Sequence, residues 1–551
     1  MVNCHSIQSR LCARVYFRKL VWAVWTSVLM WLLVVPFSLS ANPQAGYGGS
    51  PYARGAELAR TGRFEEALVE LRRAVEQQPA DPRPHNMIGV VLTQMGKLDD
   101  ANTAYSQALE IAPNFVPARK NRAVNAFTQR NFQFALKEFQ ALAQAAPRDF
   151  VPYLFLGLLS LESLDFEAAD RHLGRAATLA PGNPKILVPL TRVRLILGKR
   201  ESALELARKA ESVVQTDAER QELGVILAQF EANSEAEALF RELRRKQPDS
   251  SEVAFNLALV EYRLGKFQQA LQTIQSFGTG RTLTGDFLNL RGWVYNKMRR
   301  WDEARVSLEE AIQVEPNNPN HYLDLSVVLR NAGDTDKAIG VVRDGLGRGL
   351  DWERLQLQLG LLYQRKKDNQ KAEECFREVL NKNSAHRSAY LALANLMALT
   401  DRQPAALALL KSGVEKLPSD ALLRYMYGGQ LLDAGYLDQA DAELKEALQL
   451  NPLYANTYYL LGKLRLKQGQ EDTARMAFEK ACAFNPEHVG AYYQLSLIAR
   501  RQGDKQKAQS YHQTVQRLNE QADKEYQESF HGTVDESLQP GSRAVVPARK
   551  P

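Results

Sequence analysis

Between residues 53 and 522 one arrangement of apolar and polar positions returns every 34 residues. The stretch Ala421 to Tyr454 is representative. Leu423, Tyr427 and Leu431 share one face of a first predicted helix, with Gly428 at the point of closest approach, and Gly435 ends it. A second helix carries Leu437, Ala440, Leu444, Ala447 and Leu448 at the i, i+3, i+4, i+7 spacing of an apolar stripe. Asn451-Pro452 stops that helix, because proline lacks the amide hydrogen and clashes with the preceding turn. Neither helix can bury its stripe alone, so each hairpin has to fold against itself and against the next copy.

Stepping along the chain, the position of Gly428 is always small: Gly55, Gly89, Ala123, Gly157, Thr191, Gly224, Ala258, Gly292, Ser326, Gly360, Ala394, Gly462 and Ser496. The position of Ala440 is alanine in all fourteen units, from Ala67 to Ala508. The proline returns as Pro79, Pro113, Pro147, Pro181, Pro248, Pro316, Pro418 and Pro486, and is missing from the units at 184, 251, 319 and 353. One step, between the fifth and sixth units, is 33 residues. Helix axes in contact lie about 8–10 Å apart, and an extra side chain there costs roughly 1–3 kcal/mol of overpacking. Small residues at the crossing are therefore a steric requirement.

This pattern resembles the tetratricopeptide repeat (TPR) family, whose second helix pairs the invariant alanine with an aromatic, here Tyr105, Phe139, Phe240, Phe376 and Phe478. The resemblance implies an all-α fold, an α-solenoid in which antiparallel hairpins stack into a right-handed superhelix. Such a solenoid has no single core and grows by adding layers. Pro189, inside the first helix of the fifth unit and beside the 33-residue step, is expected to disturb even stacking. The glycine-rich joints 277–285 and 345–349 replace the usual Asn-Pro turn.

Outside the repeats the pattern changes. Arg10, Arg14, Arg18 and Lys19 precede an apolar run from Leu20 to Leu39, and Ser38-Leu39-Ser40 offers small residues for cleavage. Residues 1–40 therefore read as a cleaved export signal or as an uncleaved membrane anchor; the run is long enough to span a bilayer. Either way the repeats are expected outside the cytoplasm, periplasmic or secreted in the first case and membrane-anchored in the second. Residues 41–52 read as a flexible lead-in, 523–531 as an extension of a polar capping helix, and 532–551 as a disordered tail.

The net charge is +7, and the four basic residues of the N-terminal segment account for more than half of it. What remains is nearly balanced and gives no basic footprint for nucleic acid. Two of the four cysteines precede the apolar run; Cys375 and Cys482 lie about three repeats apart, too far for a disulfide, and read as packing residues. No HExxH, CxxC or GxSxG motif occurs, and the histidines fall in different units with no metal-ligand spacing. The two glycine-rich joints lack the Lys-Ser/Thr end of a phosphate loop. No cofactor, metal or catalytic group is expected, and the chain reads as a non-enzyme.

What remains is a groove. The resemblance implies that the first helix of each hairpin lines the concave face. In the third to fifth units this selects Val124, Phe127, Leu154, Phe155, Leu158, Leu161, Val188 and Leu195. Around Val151 to Leu161 the helix is apolar on both faces, so either a partner segment docks there or adjacent superhelical turns or the N-terminal lead-in cover it. In the last three units Tyr425, Tyr459 and Tyr493 recur at one position, with Lys463, Lys467, Arg500 and Arg501 nearby. Tyrosine is ordinary for the family at that position, but such rings also bind extended peptides, and the cations suit carboxylates. Lys120, Asn121 and Lys185 match the family's carboxylate clamp only at scattered units. The function expected is an exported scaffold that binds protein segments in its groove. The alternative is a component or assembly factor of a cell-envelope or exopolysaccharide secretion complex.

Overall fold

Apolar stripes of this period can be buried only by stacking, and the computed structural model does so with 28 helices and no strand among its described residues. It describes residues 49–528, with side chains to 521; the segment 1–40, most of the lead-in and the tail from 529 lie outside them. The helices pair in order as fourteen hairpins. The chain falls into two units that divide between Val260 and Glu261, inside the helix Ser251–Arg263. Within each unit a first helix packs on its own partner, on the second helix of the hairpin before, and on a neighbouring first helix. Among the described residues no helix is long and apolar enough to cross a membrane.

The alanines do what the steric reading requires. Ala67, Ala101, Ala135, Ala169 and Ala203 in the first unit, and Ala270 to Ala474 at the same position in the second, are 0% exposed. Ala508, with no hairpin stacked beyond it among the described residues, is half-buried. The small residue of the first helix sits over the large one of the second: a Cβ on Gly89 would lie 2.5 Å from Tyr105 Cε1.

Short polar side chains start most of the first helices, though Phe115 and Tyr454 begin theirs without a side-chain cap. Asp420 Oδ1 accepts hydrogen bonds from the Leu422 and Leu423 amides at 3.0 and 2.9 Å, and Asn183 and Asn318 cap their helices in the same way. Such caps contribute about 1 kcal/mol each. The shortened 33-residue step falls in a turn: only residues 214–216 separate the helix Arg200–Val213 from Asp217–Gln229, and Thr216 with Glu219 forms a capping box there. The helix Pro184–Ile196 runs unbroken through Pro189. Cys375 and Cys482 are free and buried, and burial pushes both thiols up to about 12.

Every first helix ends on a left-handed residue. Eight of these are glycines, such as Gly435 at φ 88°, but Arg130, Leu164, Glu231, Arg299, Lys367 and Asp401 adopt φ of 56–61°. The turn is held by backbone bonds: after Leu164, the Asp165 amide donates to the Ser160 carbonyl at 2.9 Å, closing the helix end. A side chain in this region costs roughly 1–2 kcal/mol, and glycine's greater freedom in the unfolded chain returns about 0.4–1 of that. Leu164 is over a third exposed and loses little packing. Leu164→Gly is therefore expected to stabilise its hairpin by about 0.5–1 kcal/mol, read as slower amide exchange across residues 150–179.

Candidate functional site

The face of the first helices expected to line a groove differs sharply along the chain. In the first unit Phe155 is 0% exposed, and its ring lies parallel to Phe139 at 4.6 Å and edge-on to Phe127 at 5.0 Å. Leu154, Leu158 and Leu161 are 5, 6 and 7% exposed, and Phe127, Val188 and Leu195 are equally buried. The helix Phe150–Glu162 brings these side chains together, but as core. Phe127, Leu154, Phe155, Leu158 and Leu161, expected either to receive a partner or to be covered from within, are buried, and a partner could reach them only by displacing what packs against them. Beside them Arg192 lies 3.4 Å from Glu222. Burial works against both charges, holding the Arg192 guanidinium below its ordinary value and the Glu222 carboxyl above its own.

In the second unit the equivalent face begins as a buried polar ladder. Asn289 Nδ2 donates to Asp324 Oδ2 at 2.7 Å, and Gln358 Nε2 donates to Ser326 Oγ at 2.9 Å. All four are at most 2% exposed. Their polar character made them look like solvent-facing residues, so sequence reasoning passed over them. The available signal was the pair Asp324 and Gln358, one repeat interval apart on helices otherwise apolar. Glu315 joins the cluster: it receives the Gly285 amide, Asn318 Nδ2 and His321 Nε2, each at 3.1 Å. Burial raises its carboxyl, but the bonds from Asn318 and His321 outweigh that and leave it below its usual value.

From residue 387 onward the face opens. Leu399 is 68% and Tyr493 48% exposed, and Leu391, Met426, Leu460, Leu466 and Leu497 are half-buried. Leu399 and Met426 were not anticipated as lining residues. The tyrosines do not stack directly on one another. Tyr425 meets Tyr454 edge-on at 5.1 Å and Tyr459 meets His488 at 4.8 Å, so each ring leans on the residue that precedes the next first helix. Burial pushes the Tyr425 hydroxyl up to about 12, raises that of Tyr459 and lowers His488. Lys463 lies 3.8 Å from Asp433, Lys467 donates to the Leu432 carbonyl at 2.9 Å, and Arg501 pairs with Glu471 at 2.9 Å. Arg500 is exposed beside Tyr493's helix face. Aromatic rings, half-exposed leucines and cations on one face suit an extended peptide, with area from the rings and charge-assisted bonds from the cations. Among the described residues no group of three or more His, Cys, Asp or Glu could hold a metal ion.

Tetratricopeptide repeat profiles match residues 52–114, 86–150, 222–277, 289–349 and 357–421, and related ones match 443–476 and 489–521. The human protein O-mannosyl-transferase TMTC3 is 22% identical over 335 residues, 59% of this chain and 34% of that protein. A Drosophila melanogaster BBSome complex member, the BBS4 homolog, is 22% identical over 310 residues, 54% of this chain and 63% of its own length. The chain thus spans less than two thirds of either relative. Among solved structures, the APC/C hetero-tetramer Cut9-Hcn1 is 12% identical, covering 82% of this chain and 98% of that one, with a TM-score of 0.32. With one repeat profile matched over more than half its length and its described helices paired as hairpins throughout, the chain belongs to the tetratricopeptide repeat family.

Proposed function

We propose that this chain is a non-enzymatic protein-interaction scaffold whose receiving surface is the open groove of residues 387–501, taking an extended partner segment that carries carboxylates. The observation that carries this is the exposed face on which Tyr493, Leu399 and Arg500 stand with Tyr425, Tyr459 and Lys463. The Drosophila relative's designation as a member of a complex supports an assembly role. The basic and apolar N-terminal segment supports placing the scaffold outside the cytoplasm, as a periplasmic, secreted or membrane-anchored protein. The alternative reading is a component or assembly factor of a cell-envelope or exopolysaccharide secretion complex.

Tyr493→Ala with Arg500→Ala touches only exposed side chains, so helical circular dichroism should not change. Proteins captured by the full chain in its native compartment should be retained about tenfold less by this double variant, the loss that corresponds to about 1.4 kcal/mol. Equal capture by both chains, with the helical signal intact, overturns the assignment of the groove.

A further inference from the structure

We infer that Lys297, Arg330 and Arg365 receive an extended acidic segment of a partner protein, with carboxylates about three residues apart. Bonds between neighbouring first helices set the register of this face. Asn289 donates to Asp324 at 2.7 Å and Asn331 to Asn296 at 3.2 Å, each across 35 residues, and Gln358 donates to Ser326 across 32. Side chains offset by 32 to 35 residues are therefore lateral neighbours. Tyr262 and Lys297 are offset by 35, Lys297 and Arg330 by 33, and Arg330 and Arg365 by 35. They form one row across four successive first helices, Ser251–Arg263, Gly285–Lys297, Pro319–Asn331 and Trp352–Arg365. Trp293 stands one turn before Lys297 on the same helix face.

Among the described residues none of the three cations pairs with a carboxylate. Arg330 Nη2 donates to Asn331 Oδ1 at 3.1 Å, but its Nε meets no acceptor. Burial, and after it the like charge of Arg365, holds the Arg330 guanidinium down at about 10. Trp293 and Tyr262 are 3 and 6% exposed, yet among the described residues neither the indole N–H nor the phenol O–H finds a partner. The Asp324 carboxylate, whose charge reaches Tyr262, is taken up by Asn289. Every open group in the row is thus a donor, and what completes it is a negatively charged acceptor. Lys297 and Arg365 are exposed, so the row is reachable from solvent. Its span selects the ligand. Neighbouring helices lie about 8–10 Å apart, and an extended chain advances about 10 Å in three residues. A single phosphate would satisfy one layer, whereas a chain with an acidic residue at every third position meets all three cations. The row lies outside the open groove of residues 387–501 and does not depend on that groove's being a receiving surface.

The test uses the full chain carrying Tyr493→Ala and Arg500→Ala, which takes the open groove out of the measurement. The probe is a fluorescein-labelled peptide with three glutamates, one at every third position among serines, followed by fluorescence anisotropy. The expected result is binding that weakens about tenfold with Lys297→Gln and again with Arg365→Gln, both changes on exposed side chains. A peptide with its three glutamates in one block should bind about tenfold more weakly than the spaced one, and a glutamine version should not bind. Failure of the spaced peptide to bind overturns the inference. So do equal binding by the Lys297→Gln and Arg365→Gln chains, equal binding of the block peptide, or displacement of the probe by an equimolar amount of inorganic phosphate.

Discussion

Phe155→Ala is expected to destabilise the hairpins around it by about 4 kcal/mol, the largest effect of any single truncation along the groove face. The Phe155 side chain is fully buried between two rings, parallel to Phe139 at 4.6 Å and edge-on to Phe127 at 5.0 Å. Truncating a buried phenylalanine costs about 3–5 kcal/mol, because transfer free energy is lost and the cavity relaxes only in part. Two aromatic contacts go with it, each contributing about 0.5–1.5 kcal/mol beyond area. Phe139 belongs to the second helix of the preceding hairpin, so the damage crosses a layer boundary. An array of this kind opens in segments, and a single melting temperature averages over them. The measurement that isolates the effect is amide exchange over residues 116–179. Tyr493→Ala is the contrast: the residue is about half exposed, and its loss should stay within about 0.5 kcal/mol. Similar exchange for the two variants would show that Phe155 is not a core residue.

That contrast marks where sequence reasoning stops. The hairpin period, the fourteen alanines and the small residues at the helix crossings were legible because a steric demand recurs at a fixed interval, and the buried alanines from Ala67 to Ala474 meet it. Which part of the groove is open was not legible. Leu161 and Leu466 hold one repeat position with one residue type, yet Leu161 is buried and Leu466 only partly so, because burial at that position depends on the residues of the flanking helices, which the repeat pattern does not fix. The Asn289–Asp324 pair was missed for a related reason: a polar residue on a lining helix looks wet until its partner on the next first helix is in place. The left-handed helix ends divide similarly. Gly435 announced itself, whereas Leu164 takes the same conformation because backbone bonds closing the helix hold it there. Local preference was overruled at six such positions, each by the geometry of a hairpin whose two helices are already fixed.

Gly360→Val tests the steric demand itself and is expected to cost about 3 kcal/mol. A Cβ on Gly360 would stand 2.4 Å from Phe376 Cε1 and 2.8 Å from its Cδ1. Phe376 is 0% exposed, so its ring cannot swing into water, and Val379 and Ala372 on the same helix are equally buried. Valine adds two further methyls at this crossing. The helices must separate or the ring must leave its rotamer, and overpacking of this kind typically costs about 1–3 kcal/mol. Against this, leaving glycine in a helix interior recovers at most about 1 kcal/mol of propensity, and less for a β-branched residue. The steric cost therefore wins. Gly340→Val is the control, because a Cβ there meets nothing within 4 Å. Exchange across residues 352–382 should accelerate in the first variant and slow or stay level in the second. If Gly360→Val left that hairpin as protected as the native chain, close approach of backbones would not be what sets the repeat, and the small residues at the other thirteen crossings would need a different explanation.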